Sequence, residues 1–417
     1  MADDRKPKEP QGLPEGWKWL RLGEILKYEQ PQKYIVKSEE YDEKSGVPVL
    51  TAGKTFILGY VDENEGICND LPVILFDDFT TDSRFIDFPF KVKSSATKIL
   101  RARDESIDLF YVYNALKLIK LKPSSDHKRF WISEYSKMPI PLPPLPEQRK
   151  IAQILETVDN AIEKTEKIIE KYKRIKQGLM QDLLTKGIDE NGNIRSEKTH
   201  KFKDSPLGRI PEEWEVVRLG EVGEIISGST PRTYNSEYWN GEIVWITPDD
   251  LSKTKTLFIE NSSRKITQKG LRSCSARIIP AYSVVISSRA PIGYVKVSKV
   301  PFTTSQGCKS IAYNGKFSSE FLAILLSNKV QDMINLGSGT TFQEITKSNL
   351  KKLLIPLPPL SEQKRIAEIL SQIDQTIEKE EKYKQKLERL KKGLMEDLLT
   401  GKVRVNKLLE GEVNEMA

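Results

Sequence analysis

The segment PLPPLPEQRKIAQIL (residues 141–155) occurs a second time in the chain, as PLPPLSEQKRIAEIL (residues 356–370). The match continues without a gap over residues 141–187 and 356–402, where 27 of 47 positions are identical. The prolines favour an extended lead-in and exclude a helix across each Pro-Pro pair. A helix is then expected to start near Glu147, because an acidic side chain suits the positive end of a helix. The repeat therefore predicts two equivalent long helices, residues 147–184 and 362–399.

Apolar residues inside both copies recur at alternating steps of four and three, the spacing of a coiled-coil seam. The seam positions are Ile151, Leu155, Val158, Ile162, Ile169, Tyr172, Ile175, Leu179 and Leu183, then Ile366, Leu370, Ile373, Ile377, Leu387, Leu390, Leu394 and Leu398. Glu380 and Lys384 interrupt the second seam, and polar seam residues are a known way to fix register. Two matching seams favour packing of the helices on each other over the alternative, in which each helix is only a core element of its neighbouring domain. A duplicated chain folds most simply about a pseudo-two-fold axis, so we expect an antiparallel coiled coil.

A second, shorter repeat opens each half of the chain, because LPEGWKWLRLGE (residues 13–24) returns as IPEEWEVVRLGE (residues 210–221). Residues 25–140 and 222–355 show no convincing alignment, and each mixes short β-rich runs with turns and a few helical stretches. The predicted fold class is α+β, with two α/β globules and two long helices. The predicted domains are residues 1–146 (first globule), 147–187 (first helix), 188–361 (linker and second globule) and 362–417 (second helix and tail). The polar stretch at residues 187–208 is expected to be a surface linker.

Composition narrows the class of protein only a little. The 417 residues are 30% charged and carry a net charge of +7, which indicates some affinity for polyanions. No apolar run approaches the roughly 20 residues that a membrane span needs, and the N-terminus lacks the apolar core of a signal peptide. Cys68, Cys274 and Cys308 show no paired spacing, which suits a reducing compartment. We therefore expect a cytoplasmic protein without membrane contact.

Catalytic motifs are weak. TAGKT (residues 51–55) resembles the end of a phosphate-binding loop, but Pro48 stands where the first glycine is needed. The run FDDFTTD (residues 76–82) suits Mg²⁺ or, more simply, a solvated loop. His127 and His200 have no neighbours that would complete a metal cluster, and no serine or cysteine has a credible histidine partner. We expect no catalytic residues, no metal and no cofactor.

Binding motifs are stronger, above all in the second globule. Residues 221–355 hold 17 Lys or Arg against 10 Asp or Glu. Four polar or aromatic turns stand out there: SGSTPRTYNSEYW (227–239), SSRAPIGY (287–294), TTSQG (303–307) and GSGTTF (337–342). Such groups suit phosphates and base edges. The alternative is that each turn simply connects two strands.

The first globule carries no net positive charge, with 17 basic and 19 acidic residues in residues 24–140. Its basic residues cluster in sequence at Lys91, Lys93, Lys98, Arg101 and Arg103. A local patch of this kind is enough for phosphate contacts. A solvated basic strand face is nearly as good an explanation.

Together these features resemble the DNA-specificity subunit of type I restriction-modification systems, over residues 13–401. The duplicated helix starts, the paired PEGW…RLGE and PEEW…RLGE segments, and the turns STPRTYNSEYW, APIGY, TTSQG and GSGTTF carry the resemblance. It implies two target-recognition domains, each for one half of a split site in double-stranded DNA. It further implies recruitment of two methyltransferase subunits and, for cleavage, motor-nuclease subunits. S-adenosylmethionine, ATP and Mg²⁺ would belong to those partners. The first globule lacks the TTSQG and GSGTTF turns, so contact residues transfer to it less directly.

The sequence thus predicts a non-enzymatic, sequence-specific DNA-binding scaffold with a bipartite site and a non-specific spacer. The candidate DNA-binding residues are Thr51, Lys54, Thr80, Lys91, Ser94, Ser95 and Arg129 in the first globule, and Thr230, Arg232, Tyr238, Arg289, Gln306 and Thr341 in the second. Two other classes stay open. One is a coiled-coil adaptor that binds proteins without DNA specificity, and the other is a nuclease with an unrecognised site.

Overall fold

The computed structural model describes residues 12–51, 55–119, 130–289, 291–337 and 344–409. The chain divides into two compact units, Met1–Lys167 with Glu381–Ala417, and Ile168–Glu380. Each unit holds one globular region together with part of each of two long helices. Within the described ranges, no helix is long and apolar enough to cross a membrane.

The first globular region begins with strand β1 and leads into the first long helix, α4. In chain order its elements are β1 (Lys18–Arg21), α1 (Leu22–Ile25), β2 (Leu26–Glu29), β3 (Val47–Leu50), β4 (Ile57–Val61), β5 (Val73–Asp77), β6 (Ser83–Ile86), β7 (Lys91–Val92), β8 (Thr97–Ala102), α2 (Leu109–Leu118), α3 (Phe130–Ser133), β9 (Pro139–Leu142) and α4 (Leu145–Thr185).

The second globular region repeats this plan and leads into the second long helix, α11. Its elements are β10 (Phe202–Lys203), β11 (Ile210–Pro211), β12 (Glu215–Arg218), α5 (Leu219–Val222), β13 (Ile225–Ser227), β14 (Trp239–Ile246), α6 (Pro248–Lys253), β15 (Phe258–Ile259), β16 (Lys265–Ile266), α7 (Gln268–Arg272), β17 (Val284–Ser288), β18 (Ile292–Ser298), β19 (Phe302–Thr304), β20 (Cys308–Ile311), α8 (Ser319–Asn328), α9 (Val330–Asn335), α10 (Lys347–Lys352), β21 (Leu354–Leu357) and α11 (Leu360–Leu398).

The two globules share one strand topology although their sequences do not align. The first contains an antiparallel sheet in the order β2-β8-β5-β6, and the second contains β13-β20-β17-β18, extended by β15. Each globule also has a smaller three-stranded sheet with one antiparallel and one parallel pair. In the first globule β3 pairs antiparallel with β4 and parallel with β7. In the second, β14 pairs antiparallel with β16 and parallel with β19. Residues at matching strand ends can therefore be compared between the globules.

The long helices begin two residues before the predicted starts and end within one residue of the predicted ends. In the first unit, Lys391 Nζ lies 2.5 Å from Asp159 Oδ1, and Lys384 Nζ lies 2.7 Å from Glu166 Oε1. Moving forward along α4 thus moves the partner backward along α11, which defines antiparallel packing. In the second unit, Lys176 Nζ lies 2.6 Å from Asp374 Oδ1, in the same register. The predicted antiparallel helix pair and internal repeat are confirmed.

Fewer seam positions are buried than the sequence predicted. Leu155, Leu370 and their neighbours near the helix starts are fully buried, but the predicted seam residues Ile175 and Leu390 are 40% and 52% exposed. Leu183 and Leu398, near the far ends of the two helices, are buried again at 1% and 4% exposure, so the exposed seam positions lie between buried stretches of each helix. Ile175 and Leu390 occupy equivalent positions of the two copies.

The duplicated Glu after the prolines joins each globule to the helix pair. In the first unit, Glu147 accepts a hydrogen bond from Trp17 Nε1 (2.8 Å) and pairs with Arg404, which follows α11. In the second unit, Glu362 accepts from Trp214 Nε1 (3.1 Å) and pairs with Arg195, which follows α4, at 2.5 Å. We call these contacts the first and second Trp–Glu–Arg joints.

The second joint corrects the prediction of a surface linker at residues 187–208. Ile188 is buried in the core of the second unit, and Arg195 is only 7% exposed. Gly187 ends the helix with a φ of +63°, and a Cβ there would lie 2.1 Å from the Glu362 carboxylate. The start of the segment is therefore a structural part of the joint, and only glycine fits at its first residue.

The Gln that follows each of these Glu residues holds the globule through main-chain atoms. Gln148 accepts from the Asp108 amide at the N-terminus of α2 (2.9 Å) and donates to the Pro143 carbonyl (2.9 Å). Gln363 accepts from the Ser318 amide at the N-terminus of α8 (2.9 Å) and donates to the Pro358 carbonyl (2.8 Å). The EQ pair of the repeat thus has the same function in both units.

Candidate nucleic-acid interface

Three of the four polar turns in the second globule meet at one edge of its sheets. The carboxyl ends of β14 and β19 lie side by side, with Ile246 opposite Thr304. The Ser229 amide donates to the Thr304 carbonyl (2.9 Å), and the Ser288 amide donates to the Gly307 carbonyl (2.8 Å). We call this edge, formed by residues 228–232, 287–289 and 303–307, the second recognition edge.

Thr230 and Gln306 are brought together there. The Thr230 hydroxyl donates to the Gln306 side-chain carbonyl, so the Gln306 amide group is oriented by a residue 76 positions away in sequence. Gln306 is exposed and Thr230 is half-buried. Close approach of the backbone is required, because a Cβ on Gly228 would lie 2.0 Å from the Ser305 carbonyl oxygen. An oriented amide of this type suits the donor and acceptor pattern of a base edge.

A buried lysine organises the other side of this edge. Lys309 is 5% exposed, and its ammonium donates to the Ser288 hydroxyl (3.2 Å), the main-chain carbonyl of Gln306 (3.2 Å) and the Glu344 carboxylate (3.3 Å). The second Glu344 oxygen lies 3.7 Å from Arg289 Nη1. The Arg289 side chain is 42% exposed. Glu344 therefore links a buried cation to a cation at the surface.

The remaining candidates of the second globule differ in exposure. Arg232 has an exposed side chain, and its carbonyl accepts from Trp239 Nε1 (3.3 Å). Tyr238 is half-buried and packs against the cluster of Trp239, Trp245 and Ile266. Thr341 lies outside the described residues.

The first globule has an equivalent edge. Lys98 on β8 lies opposite Phe76 on β5, and Lys309 on β20 lies opposite Ile286 on β17. Lys98 Nζ lies 3.1 Å from Asp78, two residues beyond Phe76, just as Lys309 reaches Ser288, two residues beyond Ile286. The β5–β6 and β7–β8 turns of the first globule therefore correspond to the β17–β18 and β19–β20 turns of the second. We call them the first recognition edge.

Three candidates of the first globule lie on these turns. Thr80 is exposed in the β5–β6 turn, where its amide donates to Asp77 (2.9 Å). Ser94 and Ser95 are exposed in the β7–β8 turn. Thr51 follows β3, and its hydroxyl donates to the Thr55 carbonyl (2.7 Å). Lys54 and Arg129 lie outside the described residues.

Lys91 does not belong to the surface, which corrects its assignment as a contact residue. It is 1% exposed, pairs with Glu63 at 2.8 Å and donates to the Glu65 carbonyl at 2.5 Å. Its ammonium serves the core, because a buried charge must be paired.

The basic cluster around Lys91 is likewise not a surface patch. Lys98 is 4% exposed and Arg101 is 8% exposed. Arg101 contacts Glu29 and Asp70. Lys93 and Arg103 are exposed, and they bond to the Tyr41 hydroxyl (2.7 Å) and the Gly23 carbonyl (3.0 Å). Most of the charge that the sequence placed in a patch is used inside the fold.

The acidic run at residues 76–82 has structural roles. Asp77 accepts from the Phe79 and Thr80 amides (2.8 and 2.9 Å), which closes the turn. Asp78 is 4% exposed, accepts from the Trp131 amide (2.9 Å) and pairs with Lys98. No group of His, Cys, Asp or Glu suited to a metal ion occurs among the described residues. Gly53 and Lys54 of the TAGKT segment lie outside them.

Asp250 was not a candidate from the sequence, but its buried carboxylate ties the start of α6 to Ser263. Burial raises the pKa of its carboxyl, but hydrogen bonds from Ser263 and Thr247 outweigh burial and hold that pKa below its usual value. Asp250 accepts from the Thr247 hydroxyl (2.6 Å) and the Ser263 amide (2.8 Å). The Thr-Pro-Asp-Asp sequence is a helix-capping pattern that would have identified the first of these contacts. Nothing local predicts the second.

Two globules of one topology, each with a polar edge and each joined in the same way to a long helix, define a duplicated recognition protein. A family model for the type I restriction modification DNA specificity domain matches residues 14–174 and 211–389. The chain belongs to this family.

Relatives and solved structures agree with this assignment. The chain is 37% identical over 369 residues to the EcoR124I/EcoR124II specificity subunit of Escherichia coli, covering 85% of this chain and 86% of the relative. It is 31% identical over 421 residues to the MjaVIII specificity subunit of Methanocaldococcus jannaschii, covering 96% of each. The fold is similar to that of a type I restriction-modification S subunit from M. genitalium, with a TM-score of 0.60 at 14% identity over 94% of this chain and 98% of that one. It is also similar to a chain from a structural study of type I system assembly, with a TM-score of 0.54 at 23% identity over 94% and 100%.

Proposed function

We propose that the chain is the specificity subunit of a type I restriction-modification complex. Each globule reads one half of a bipartite target in double-stranded DNA through its recognition edge. The two helices set the length of the non-specific spacer and bind the methyltransferase subunits. The chain itself supplies no catalytic residue. S-adenosylmethionine, ATP and Mg²⁺ are bound and used by the methyltransferase and motor-nuclease subunits.

One observation carries this proposal: both globules place exposed polar turns at topologically equivalent edges. Thr80 and Arg289 lie in matching turns, and Ser94 and Gln306 lie in another matching pair. A buried lysine supports each edge from below, Lys98 in one globule and Lys309 in the other. Two similar binding edges with different side chains are the arrangement that a two-part target with different half-sites requires.

The long helices offer an apolar face for partner helices. Ile168 and Ile175 on α4 are 41% and 40% exposed, and they are spaced seven residues apart. Tyr383 and Leu390 on α11 are 50% and 52% exposed and occupy the equivalent positions of the repeat. A duplicated apolar face suits two copies of one partner, which favours a pair of methyltransferase subunits. The names of the relatives as restriction-enzyme subunits support the same partner class.

The alternative of a protein-binding adaptor explains the helices but not the globules. The second recognition edge presents Gln306, Arg232 and Arg289, side chains that pair with phosphates and base edges. DNA binding explains both the polar edge and the excess of basic residues in this globule.

The test is selection from random duplex DNA, using the full chain bound to its methyltransferase partner at moderate salt. We expect two short enriched motifs at one fixed spacing, and an affinity that falls steeply as salt rises. Flat enrichment by a chain that demonstrably holds its partner would overturn the proposal in favour of the adaptor. Magnesium-dependent nicking by the purified chain would instead support a nuclease.

The partner face has its own test. Ile175→Glu with Leu390→Glu should abolish partner binding in a pull-down with the methyltransferase subunit, while the unfolding temperature stays unchanged because both side chains are exposed. Lys171→Glu, another charge change on the same helix, is the matched control. Retained partner binding in the double variant would place the interface elsewhere.

A further inference from the structure

Arg264 was not a candidate from the sequence, yet it lies at the second recognition edge. β16 pairs antiparallel with β14, and Lys265 is opposite Val244. Arg264 therefore lies level with Trp245, whose other neighbour, across the parallel pair, is Thr303 of the TTSQG turn. Trp245 Nε1 also donates to the Ser229 carbonyl (3.0 Å), immediately before Thr230. Strand register and this hydrogen bond thus connect Arg264 to the turns that carry Thr230 and Gln306.

The position of the Arg264 guanidinium is set by aromatic rings. Its central carbon lies 3.5 Å from the ring centre of Trp239 and 5.8 Å from that of Trp245. The two indoles pack edge to face at 5.0 Å, and both are buried. Contact with a tryptophan face stabilises a cation without neutralising it. The rings therefore restrict the guanidinium while leaving its charge available.

The backbone of Arg264 is held as firmly as its side chain. The Ser262 hydroxyl donates to the Arg264 carbonyl (2.6 Å) and accepts from the Trp245 amide (3.0 Å). The next residue, Ser263, donates its amide and hydroxyl to the buried Asp250 carboxylate (2.8 and 2.5 Å). These hydrogen bonds fix residues 262 and 263, which precede Arg264 in the chain, while β16 fixes the residues that follow it.

Arg264 also has no acidic partner in the part of the chain that the structure describes. It is exposed, and no carboxylate forms an ion pair with it there. Arg277 of the same globule, by contrast, pairs with Glu224 at 2.5 Å, and Arg289 faces Glu344. A restrained, uncompensated guanidinium beside a polar edge is ready to donate two parallel hydrogen bonds to an external pair of acceptors.

We propose that Arg264 contacts target DNA with its guanidinium fork, and that Trp239, Trp245 and Asp250 position it. The acceptors are either two phosphate oxygens or the N7 and O6 atoms of a guanine, which present similar geometry to the fork. The proposal rests on the proposed function, since it assigns a further contact residue to the same edge.

The experiment compares Arg264→Ala and Arg264→Lys with the parent chain, each bound to the methyltransferase partner, on the duplex obtained by selection. We expect Arg264→Ala to weaken binding by about 10- to 100-fold. Arg264→Lys should lose nearly as much, because a lysine ammonium lacks the planar fork. Arg277→Ala is the matched control, since it removes one charge of the same globule and should change affinity less than about twofold. Both arginines are exposed, so all three variants should remain fully folded at the assay temperature. Loss of the contact between Arg264 and Trp239 should lower the unfolding temperature of Arg264→Ala only slightly.

A library with a randomised second half-site separates the two acceptors. Relaxed preference at one base pair assigns the fork to a guanine edge, whereas a uniform loss with a salt slope reduced by about one assigns it to a phosphate. Affinity of Arg264→Ala within twofold of the parent, with unchanged preference, would overturn the proposal. So would full affinity of Arg264→Lys, or a loss in Arg277→Ala equal to that in Arg264→Ala. If the parent chain itself shows no preference among DNA sequences, the proposed function is wrong, and the assignment of Arg264 is wrong with it.

Discussion

The two globules use basic side chains in opposite ways, although they share one strand order. In the first, three of the five basic residues clustered at residues 91–103 (Lys91, Lys98 and Arg101) are buried in ion pairs, and only Lys93 and Arg103 remain exposed. In the second, Lys309 is buried in the same manner as Lys98, but Arg232, Arg264 and Arg289 reach the surface at one edge. Clustering of charge in sequence therefore does not indicate charge available to a ligand. Counter-charges and burial decide that, and both are set by the fold.

The comparison also separates what varies from what is shared. The strands, joints and helix register are common to both units, whereas the turns at the recognition edges differ in length and in side chains. If this division is correct, changes in the shared parts should alter spacing or stability, and changes in the edges should alter preference for DNA.

The largest expected effect comes from shortening the shared helices. Deleting residues 160–166 together with residues 384–390 removes segments that face each other in the first unit and preserves the seven-residue phase. At about 1.5 Å per residue the helices lose about 10 Å, or about three base pairs at 3.4 Å each. We expect selection to return unchanged half-site motifs with a shorter spacer. Affinity for the parent site should fall more than about 100-fold, because both globules can no longer bind at once.

Duplicating the same two segments is the control for the deletion. The spacer should then lengthen by about three base pairs while the motifs again stay unchanged. A spacer that does not respond to either change would show that the helices do not determine the distance between half-sites.

The two Trp–Glu–Arg joints allow a second test, because they differ in burial. Glu362 and Arg195 are 7% and 8% exposed, whereas Arg404, the partner of Glu147, is 28% exposed. Glu362→Ala leaves the buried Arg195 guanidinium with only the exposed Glu213 as an acidic partner, and removes the acceptor of the Ile188 amide and of Trp214 Nε1. It should lower the free energy of unfolding by about 3–5 kcal/mol. Glu147→Ala should cost about 1–3 kcal/mol. Urea unfolding gives the totals, and hydrogen exchange in β12 and β21 against β1 and β9 assigns each loss to its unit. Equal losses would mean that burial does not distinguish the joints.

A third test asks whether Lys91 belongs to the core. Lys91→Met leaves Glu63 without its ammonium partner and should lower the free energy of unfolding by about 1–3 kcal/mol. Affinity for the selected duplex and its salt dependence should not change. Lys93→Met, two residues away and exposed, is the stability control and should stay within about 0.5 kcal/mol of the parent. Weaker DNA binding by Lys91→Met without loss of stability would restore it as a contact residue.

The smallest effect is a pH dependence from Asp250 in the second globule. Because hydrogen bonds lower the pKa of its folded-state carboxyl, the stabilisation is complete above the unfolded-state pKa of about 3.9. It is lost as the pH falls through the lower folded-state pKa. The difference in unfolding free energy between the parent chain and Asp250→Asn should therefore be constant above about pH 5 and shrink towards pH 3. Asp249→Asn, the exposed neighbour paired with Lys253, is the control. A difference that grows in acid would have the wrong sign.

Repetition made the shared parts of this molecule predictable. The copied prolines, Glu147 and the seven-residue spacing predicted the helix pair and its ends to within two residues, because local periodicity records which face of a helix is buried. The antiparallel direction followed from the duplication and its pseudo-two-fold axis. Ile175 was predicted at the seam but is exposed, since a heptad pattern does not reveal which seam positions the partner helix covers.

The recognition edges were predictable only in part, because they depend on contacts between distant segments. Polar turns identified Thr230 and Gln306, which meet across 76 residues of sequence. The burial of Lys98 required Asp78 in the turn that follows the neighbouring strand β5, and that of Arg101 required Glu29, 72 residues away. Arg264 was overlooked because its partners are aromatic, and no local pattern places a tryptophan face beneath it. Strand pairing decides such contacts, and a single sequence does not record it.

The Gln148 and Gln363 contacts have a consequence for how this molecule can change over generations. Among the residues that the structure describes, the side chain of each glutamine forms hydrogen bonds with backbone atoms only. Gln148 bonds to the Asp108 amide and the Pro143 carbonyl, and Gln363 bonds to the Ser318 amide and the Pro358 carbonyl. Main-chain atoms are the same whatever side chains surround them. A globule with different side chains at its recognition edge can therefore keep these four hydrogen bonds, provided that it also presents apolar residues like Tyr111 and Ile140, which share a core with Ile151 and Leu155. Exchange of whole globules between such chains would then change the target preference and leave the joint intact.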